Sequence, residues 1–151
     1  MTTETQLSNM PGHLIRRLNQ HSTAVFQHRL RAEGYDVTPV QYSALETLSH
    51  APGLDQATLA ARIAYDRATI GNVVKRLEQK ALILRQPNEK DRRAFRLWLT
   101  PSGNALLAQV RPVVSSLQDD ILAGLTDHEA GTLIRLMRKA LGVDENTPPA
   151  G

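Results

Sequence analysis

A single change of hydrophobic period, at Leu82, restricts this chain more than any other feature. Upstream of it, "QATLAARIA" and "RATIGNVVKRLEQKAL" carry apolar residues at helical spacing, joined by a tight turn at Ala64-Tyr65-Asp66. In the second segment Ile70, Val73, Val74 and Leu77 follow the i, i+3, i+4, i+7 pattern of a buried helix face. Asp55 and Asp66 stand just ahead of the two segments, where side-chain caps belong. Downstream, "LILRQ" and "FRLWLT" are short strand-forming runs, and "PNEKDRR" between them reads as the polar tip of a hairpin. Phe95, Leu97 and Leu99 share one strand face and Arg96 and Trp98 the other. Two helices around so short a turn, followed by a charged hairpin, predict a winged helix-turn-helix.

The flanks are helical. Pro11 and Gly12 open a segment from His13 to Ala32 with Leu14, Leu18, Val25 and Leu30 on one stripe, and Gly34 ends it as a left-handed cap. "TPVQ" is a compact start signal, with Thr38 as N-cap, Pro39 at the first helical position and Gln41 completing a capping box. That helix stops before "APG". "TPSG" starts a long helix whose apolar stripe is Leu106, Val110, Val113, Leu117 and Ile121, with a kink expected at Pro112. "TDHE" caps a last helix bearing Leu133, Ile134, Met137 and Leu141, which Gly142 ends. The expected class is therefore mainly α (α+β), with helices plus a two-stranded wing.

Charge is distributed unevenly. Residues 62–96 hold ten Lys and Arg against four acids, while residues 1–61 hold four against five and residues 97–151 four against six. A basic middle between acidic ends suits a polyanion-binding surface, and a solvated charged face is the bland alternative. Other classes find little support. The chain has no cysteine, so no disulfide framework or thiolate metal site is available. The start, "MTTETQLSNM", lacks the basic and apolar regions of a signal peptide. No glycine-rich phosphate loop follows a strand, and no nucleophile elbow or His-Glu-x-x-His occurs, so no enzyme, cofactor or metal site is expected. His21 and His28 lie seven residues apart, too far for the i, i+4 pairing that suits zinc.

A recognition helix over residues 66–81 would fill a major groove, and a wing over 85–98 would carry charge to the neighbouring backbone and minor groove. The helix face opposite the buried stripe centres on Ala68, Gly71, Asn72, Lys75 and Gln79, flanked by Arg67, Thr69 and Arg76. Asn72 suits adenine and Arg67 or Arg76 guanine, while Ala68 and the Thr69 methyl suit a thymine methyl. Gln56 and Thr58, opening the preceding helix, are candidates for phosphate contacts. In the tip, Lys90, Arg92 and Arg93 supply charge, and Asp91 is expected to hold the Arg93 side chain in one rotamer. Gly71 costs its helix about 0.8–1 kcal/mol relative to Ala, which suggests that something approaches it closely.

Three stretches, "DRRAFRLWLTPSG", "ATLAARIAYDRATIGNVVKRLEQKALI" and "TPVQYSAL", resemble the MarR-type transcription regulators over roughly residues 12–142. The resemblance implies a winged-helix homodimer on a pseudo-palindromic double-stranded DNA site, responsive to a small-molecule effector; no membrane role is expected, because no run of about 18 apolar residues occurs. It divides the chain into a disordered lead-in (1–11), a helical dimerisation region (12–34 and 101–142), a DNA-binding lobe (35–100) and a tail (143–151). "GHLIRRLNQHSTAVF" is similar to a subset linked to aromatic-acid catabolism. That subset implies an effector crevice lined by the first and second helices and the start of the long helix. His13, Arg16, Arg17, His21 and Tyr42 are the candidate ligand residues, with Arg forking a carboxylate and Tyr42 stacking or donating to it. A solvated basic surface or arginines paired across a dimer would also account for the basic ones. The implied function is a cytoplasmic repressor released by an aromatic carboxylate; the alternative is an architectural or RNA-binding winged helix without a ligand.

Overall fold

In a computed structural model, residues 6–91 and 93–143 are described; the first five residues of the lead-in, Arg92 and the tail from residue 144 lie outside this set. Helix starts follow the capping chemistry. Helix α1 is Pro11–Ala32, α2 is Pro39–His50, α3 is Gln56–Arg62, α4 is Arg67–Gln79, α5 is Pro101–Ile121 and α6 is Asp127–Ala140. Thr38 with Gln41, and Thr126 with Glu129, form the two reciprocal capping boxes. Asp55 and Asp66 cap α3 and α4 in the same way as each other. Each carboxylate accepts both the backbone N–H and the hydroxyl of the threonine three residues on, at 2.7 and 2.9 Å for Thr58 and 2.7 and 2.8 Å for Thr69. Those hydrogen bonds, backbone first, hold both carboxyls below the usual aspartate range.

Helix ends are less conventional. Gly34 and Gly142 take the left-handed backbone at the ends of α1 and α6, but at the ends of α3 and α4 alanines do so, Ala64 and Ala81, each at φ 59°. Their N–H groups bond to Ala61 and Glu78 carbonyls, closing the turn that a glycine usually closes. A β-carbon in that region is costly, so the two turns that shape the DNA-binding lobe are held by surrounding packing.

The sheet has three strands. β1 (Leu54–Asp55), β2 (Ile83–Pro87) and β3 (Phe95–Leu99) run antiparallel in the order β1-β3-β2. The wing hairpin pairs Ile83 with Leu99 and Pro87 with Phe95. The sequence suggested two strands; Leu54 and Asp55 add a third by pairing with Leu97 and Arg96. Two residues are too few to show a period, and they lie between a turn and a helix cap.

Core residues come from every helix except α6. Phe26 and Leu30 of α1, Ala44, Leu45 and Leu48 of α2, Leu59 of α3, the predicted stripe of α4, Leu97 and five residues of α5 make one cluster. Two expected stripes shift. In α1 the core takes Phe26 and Leu30 with Val25 half-buried, whereas Leu14 is exposed, because the first half of the helix runs past the core. In α5 the buried set includes Leu107 and Val114, and Leu106 and Ile121 sit at the rim. The helix continues through Pro112 to Ile121. Helix α6 buries nothing: Ile134 is 48% exposed and Leu141 78%.

Candidate nucleic-acid interface and effector cleft

Burying Ile70, Val73, Val74 and Leu77 turns the opposite side of α4 outward, so Arg67, Ala68, Asn72, Lys75 and Arg76 are all exposed. Thr69 is half-buried, and its hydroxyl belongs to the Asp66 cap. Thr58 is likewise committed to Asp55, so its hydroxyl proton is not free for a phosphate. Gln56 is half-buried beside Gly71: a β-carbon on Gly71 would meet its side-chain nitrogen at 3.5 Å, an ordinary contact. Among the described residues nothing therefore requires glycine there. Gly71→Ala is expected to stabilise the protein by about 0.8–1 kcal/mol, read as a higher urea midpoint. A simultaneous fall in DNA affinity would mean that the duplex itself approaches Gly71; unchanged affinity would remove that role.

The wing tip is built by backbone hydrogen bonds. Asn88 Oδ1 accepts the Lys90 N–H at 3.0 Å, and Asp91 Oδ1 accepts the Arg93 N–H at 3.0 Å. Asp91 thus shapes the turn through the main chain of Arg93, not through its guanidinium as the sequence suggested. The spacing of two residues favours this local turn, in which an aspartate bonds its own backbone. Lys90, Asp91 and Arg93 are exposed; Arg92 lies outside the described residues.

Between wing and helices lies a cleft of about 370 Å³, bordered by the start of α3, Arg67, Arg85, Arg93 and Phe95. Three arginines, from α4, β2 and the turn before β3, line it together with Asp55. Arg85 was not among the candidates. Its guanidinium lies over the Phe95 ring, 4.2 Å from the centroid, and its Nε is 3.5 Å from Glu78 of α4. The signal that could have found it is strand register: Arg85 opposes Leu97, two pairs from Phe95 and therefore on the same face of the hairpin. On the other strand face Arg96 donates to the Gly53 carbonyl at 2.9 Å and lies over Trp98, so that cation is tied into the sheet.

A second cleft, of about 390 Å³, separates the DNA-binding elements from the long helices. Its walls include Phe26, Tyr42, Tyr65, Val114, Gln118 and Ile121. Of the five candidate ligand residues only Tyr42 lines it. His13 is half-buried, and Arg16 and Arg17 are exposed, elsewhere on α1. His21 hydrogen-bonds the Ile121 carbonyl at 3.0 Å through Nε2. The long helix contributes its second half, not its start, because α5 crosses α1 there and Arg29 is paired with Asp120. Among the described residues no group of three or more histidine, aspartate and glutamate side chains is placed to hold a metal ion, and no helix is long and apolar enough to cross a membrane.

A charged hairpin beside an exposed, polar second helix of a helix-turn-helix defines a DNA-binding regulator of the winged-helix class. Comparison with known proteins narrows it: the MarR family model matches residues 37–95. A Thauera aromatica protein named as a regulator for the hcr operon is 38% identical over 93% of this chain and 86% of its own length. The solved structure of PcaV from Streptomyces coelicolor with its natural ligand is 31% identical, with a TM-score of 0.80, covering 90% of this chain and 94% of that one. Bordetella bronchiseptica BpsR, described for regulation of its DNA binding by 6-hydroxynicotinic acid, is 28% identical with a TM-score of 0.80, covering 91% and 96%. The chain belongs to the MarR family of transcriptional regulators and is not an enzyme.

Proposed function

We propose that this chain is a homodimeric repressor that leaves a pseudo-palindromic operator when a small aromatic carboxylate enters the cleft between its DNA-binding lobe (35–100) and its long helices. The observation that carries the reading is the pairing of two surfaces: a cationic wing and recognition helix on one side, and an apolar-floored cleft behind it. Arg67, Ala68, Asn72, Lys75 and Arg76 face base edges, Lys90 and Arg93 the backbone and minor groove, and Gln56 a phosphate.

The dimer is supported by α6. Its exposed apolar residues and a groove of about 720 Å³ shared with α1 and the end of α5, including Ile15, Leu18, Leu122, Ile134 and Met137, leave a hydrophobic face open on the single chain. A symmetric partner using residues 12–34 and 101–142 would cover it. The effector is supported by PcaV, solved with its natural ligand, and by BpsR, regulated by 6-hydroxynicotinic acid. Such a regulator would act in the cytoplasm.

A ligand releases DNA only if it binds the released and DNA-bound arrangements unequally. A panel of aromatic carboxylates should contain compounds that raise the melting temperature of the free protein and dissociate it from its operator in the same concentration range. Stabilisation without release would leave a ligand site and no switch. Equal affinity for operator and random duplexes at one salt concentration would favour the architectural alternative, since a specific regulator discriminates by about 10³-fold or more.

A further inference from the structure

The wall of the effector cleft has a definite hydrogen-bond polarity. Tyr42 lines the cleft, and its phenolic O–H donates to Glu46 Oε2 at 3.3 Å. The same carboxylate oxygen is fixed from α5, where Arg111 Nε donates to it at 2.8 Å while another nitrogen of that guanidinium donates to Ser49 Oγ at 2.8 Å. His50 Nε2 stands 3.2 Å from the other carboxylate oxygen. An ionised carboxylate only accepts, and a phenol has one proton to give. With that proton turned toward Glu46, the phenolic oxygen has only lone pairs left for a second partner. Burial, and then the neighbouring Glu46 charge, push the phenol above its ordinary pKa, so it keeps its proton.

We propose that Tyr42, oriented by Glu46 and Arg111, acts as a hydrogen-bond acceptor toward the cleft and selects aromatic effectors that bring a hydroxyl or N–H donor to it. This rests on the cleft being the effector site. It reverses the expectation that Tyr42 donates to a ligand carboxylate: a carboxylate there would set acceptor against acceptor with the Glu46 charge behind. The carboxylate end belongs instead beside Asn19, Ser22 and Gln118, whose amides and hydroxyl can donate, with the ring against Phe26, Val114 and Ile121. Tyr42 is thus the specificity-determining residue, and Glu46 and Arg111 position it.

The test is calorimetric titration of the full chain with 3-hydroxybenzoate and 4-hydroxybenzoate, each against its methyl ether, which has the oxygen but no donor. For the tighter of the two phenols, the ether should bind about tenfold more weakly to the unaltered protein, the cost of leaving a buried acceptor unpaired. In Tyr42→Phe that ratio should fall below about twofold, while the free protein still unfolds in one cooperative transition. Glu46→Gln offers Tyr42 an amide donor and frees the phenolic proton, so the ratio should shift toward the ether. A preference that survives Tyr42→Phe would be steric and would overturn the proposal. Equal binding of phenol and ether to the unaltered protein would overturn it too, leaving the cleft as an effector site. Failure of all four compounds to bind would remove the aromatic-acid site and the proposal together.

Discussion

Gly103→Ala should destabilise the protein by about 2 kcal/mol, although alanine is the better helix former. Gly103 is buried in the first turn of α5, and a β-carbon there would lie 2.1 Å from the Leu82 carbonyl oxygen and 3.1 Å from its carbon. Both are backbone atoms, so no side chain can swing away. The same carbonyl accepts the Thr100 N–H at 3.1 Å, and Thr100 Oγ1 donates to the Ala81 carbonyl at 2.7 Å while accepting the Gly103 N–H at 3.0 Å. The long helix is therefore docked onto the main chain just where α4 gives way to the wing. Relieving the clash requires α5 to move away from that seam. The gain of about 0.8–1 kcal/mol in helix propensity offsets only part of the overpacking cost of about 1–3 kcal/mol or more. Urea unfolding followed by circular dichroism should show an earlier midpoint, and a later one would refute the close approach.

That approach also marks the limit of what can be read along the chain. Thr100 and Pro101 announce a helix start by local chemistry, so the element was legible. Its contact with Leu82 joins backbone segments about twenty residues apart, and nothing in either segment encodes it. The same division runs through the rest. The α4 stripe was readable because burial on one side imposes a period, and its outward face followed from the same period. β1 was not, because two residues have no period. Asp91 was seen as important for the wing, but its hydrogen bond goes to backbone, which a charge count cannot distinguish from an ion pair. In the cleft, Tyr42 was named only through the family resemblance, and Glu46 and Arg111, 65 residues apart, are brought together only by α2 packing on α5. The four basic candidates of α1 share a helix face by spacing, yet α1 carries that face past the cleft.

Arg85→Ala combined with Arg93→Ala should produce the largest functional loss. The two side chains border one cleft with Arg67, and a backbone phosphate is the anion that a DNA duplex would bring to it. Each neutralised phosphate contributes about 0.9 to the slope of log affinity against log salt, so the double variant should flatten that slope by about two units. Affinity should fall by roughly a hundredfold, taking each charged hydrogen bond at the lower end of about 1.5–3 kcal/mol. The loss should be nearly equal on operator and random duplexes, because phosphates carry no sequence information. Asn72→Ala offers the contrast: it should relax discrimination at one base pair by about 1–3 kcal/mol and leave the salt slope alone. Arg85 also stacks on Phe95 and faces Glu78, so the melting temperature must be followed in parallel. An affinity loss with an unchanged salt slope would mean that Arg85 and Arg93 hold the wing in shape and do not meet phosphate.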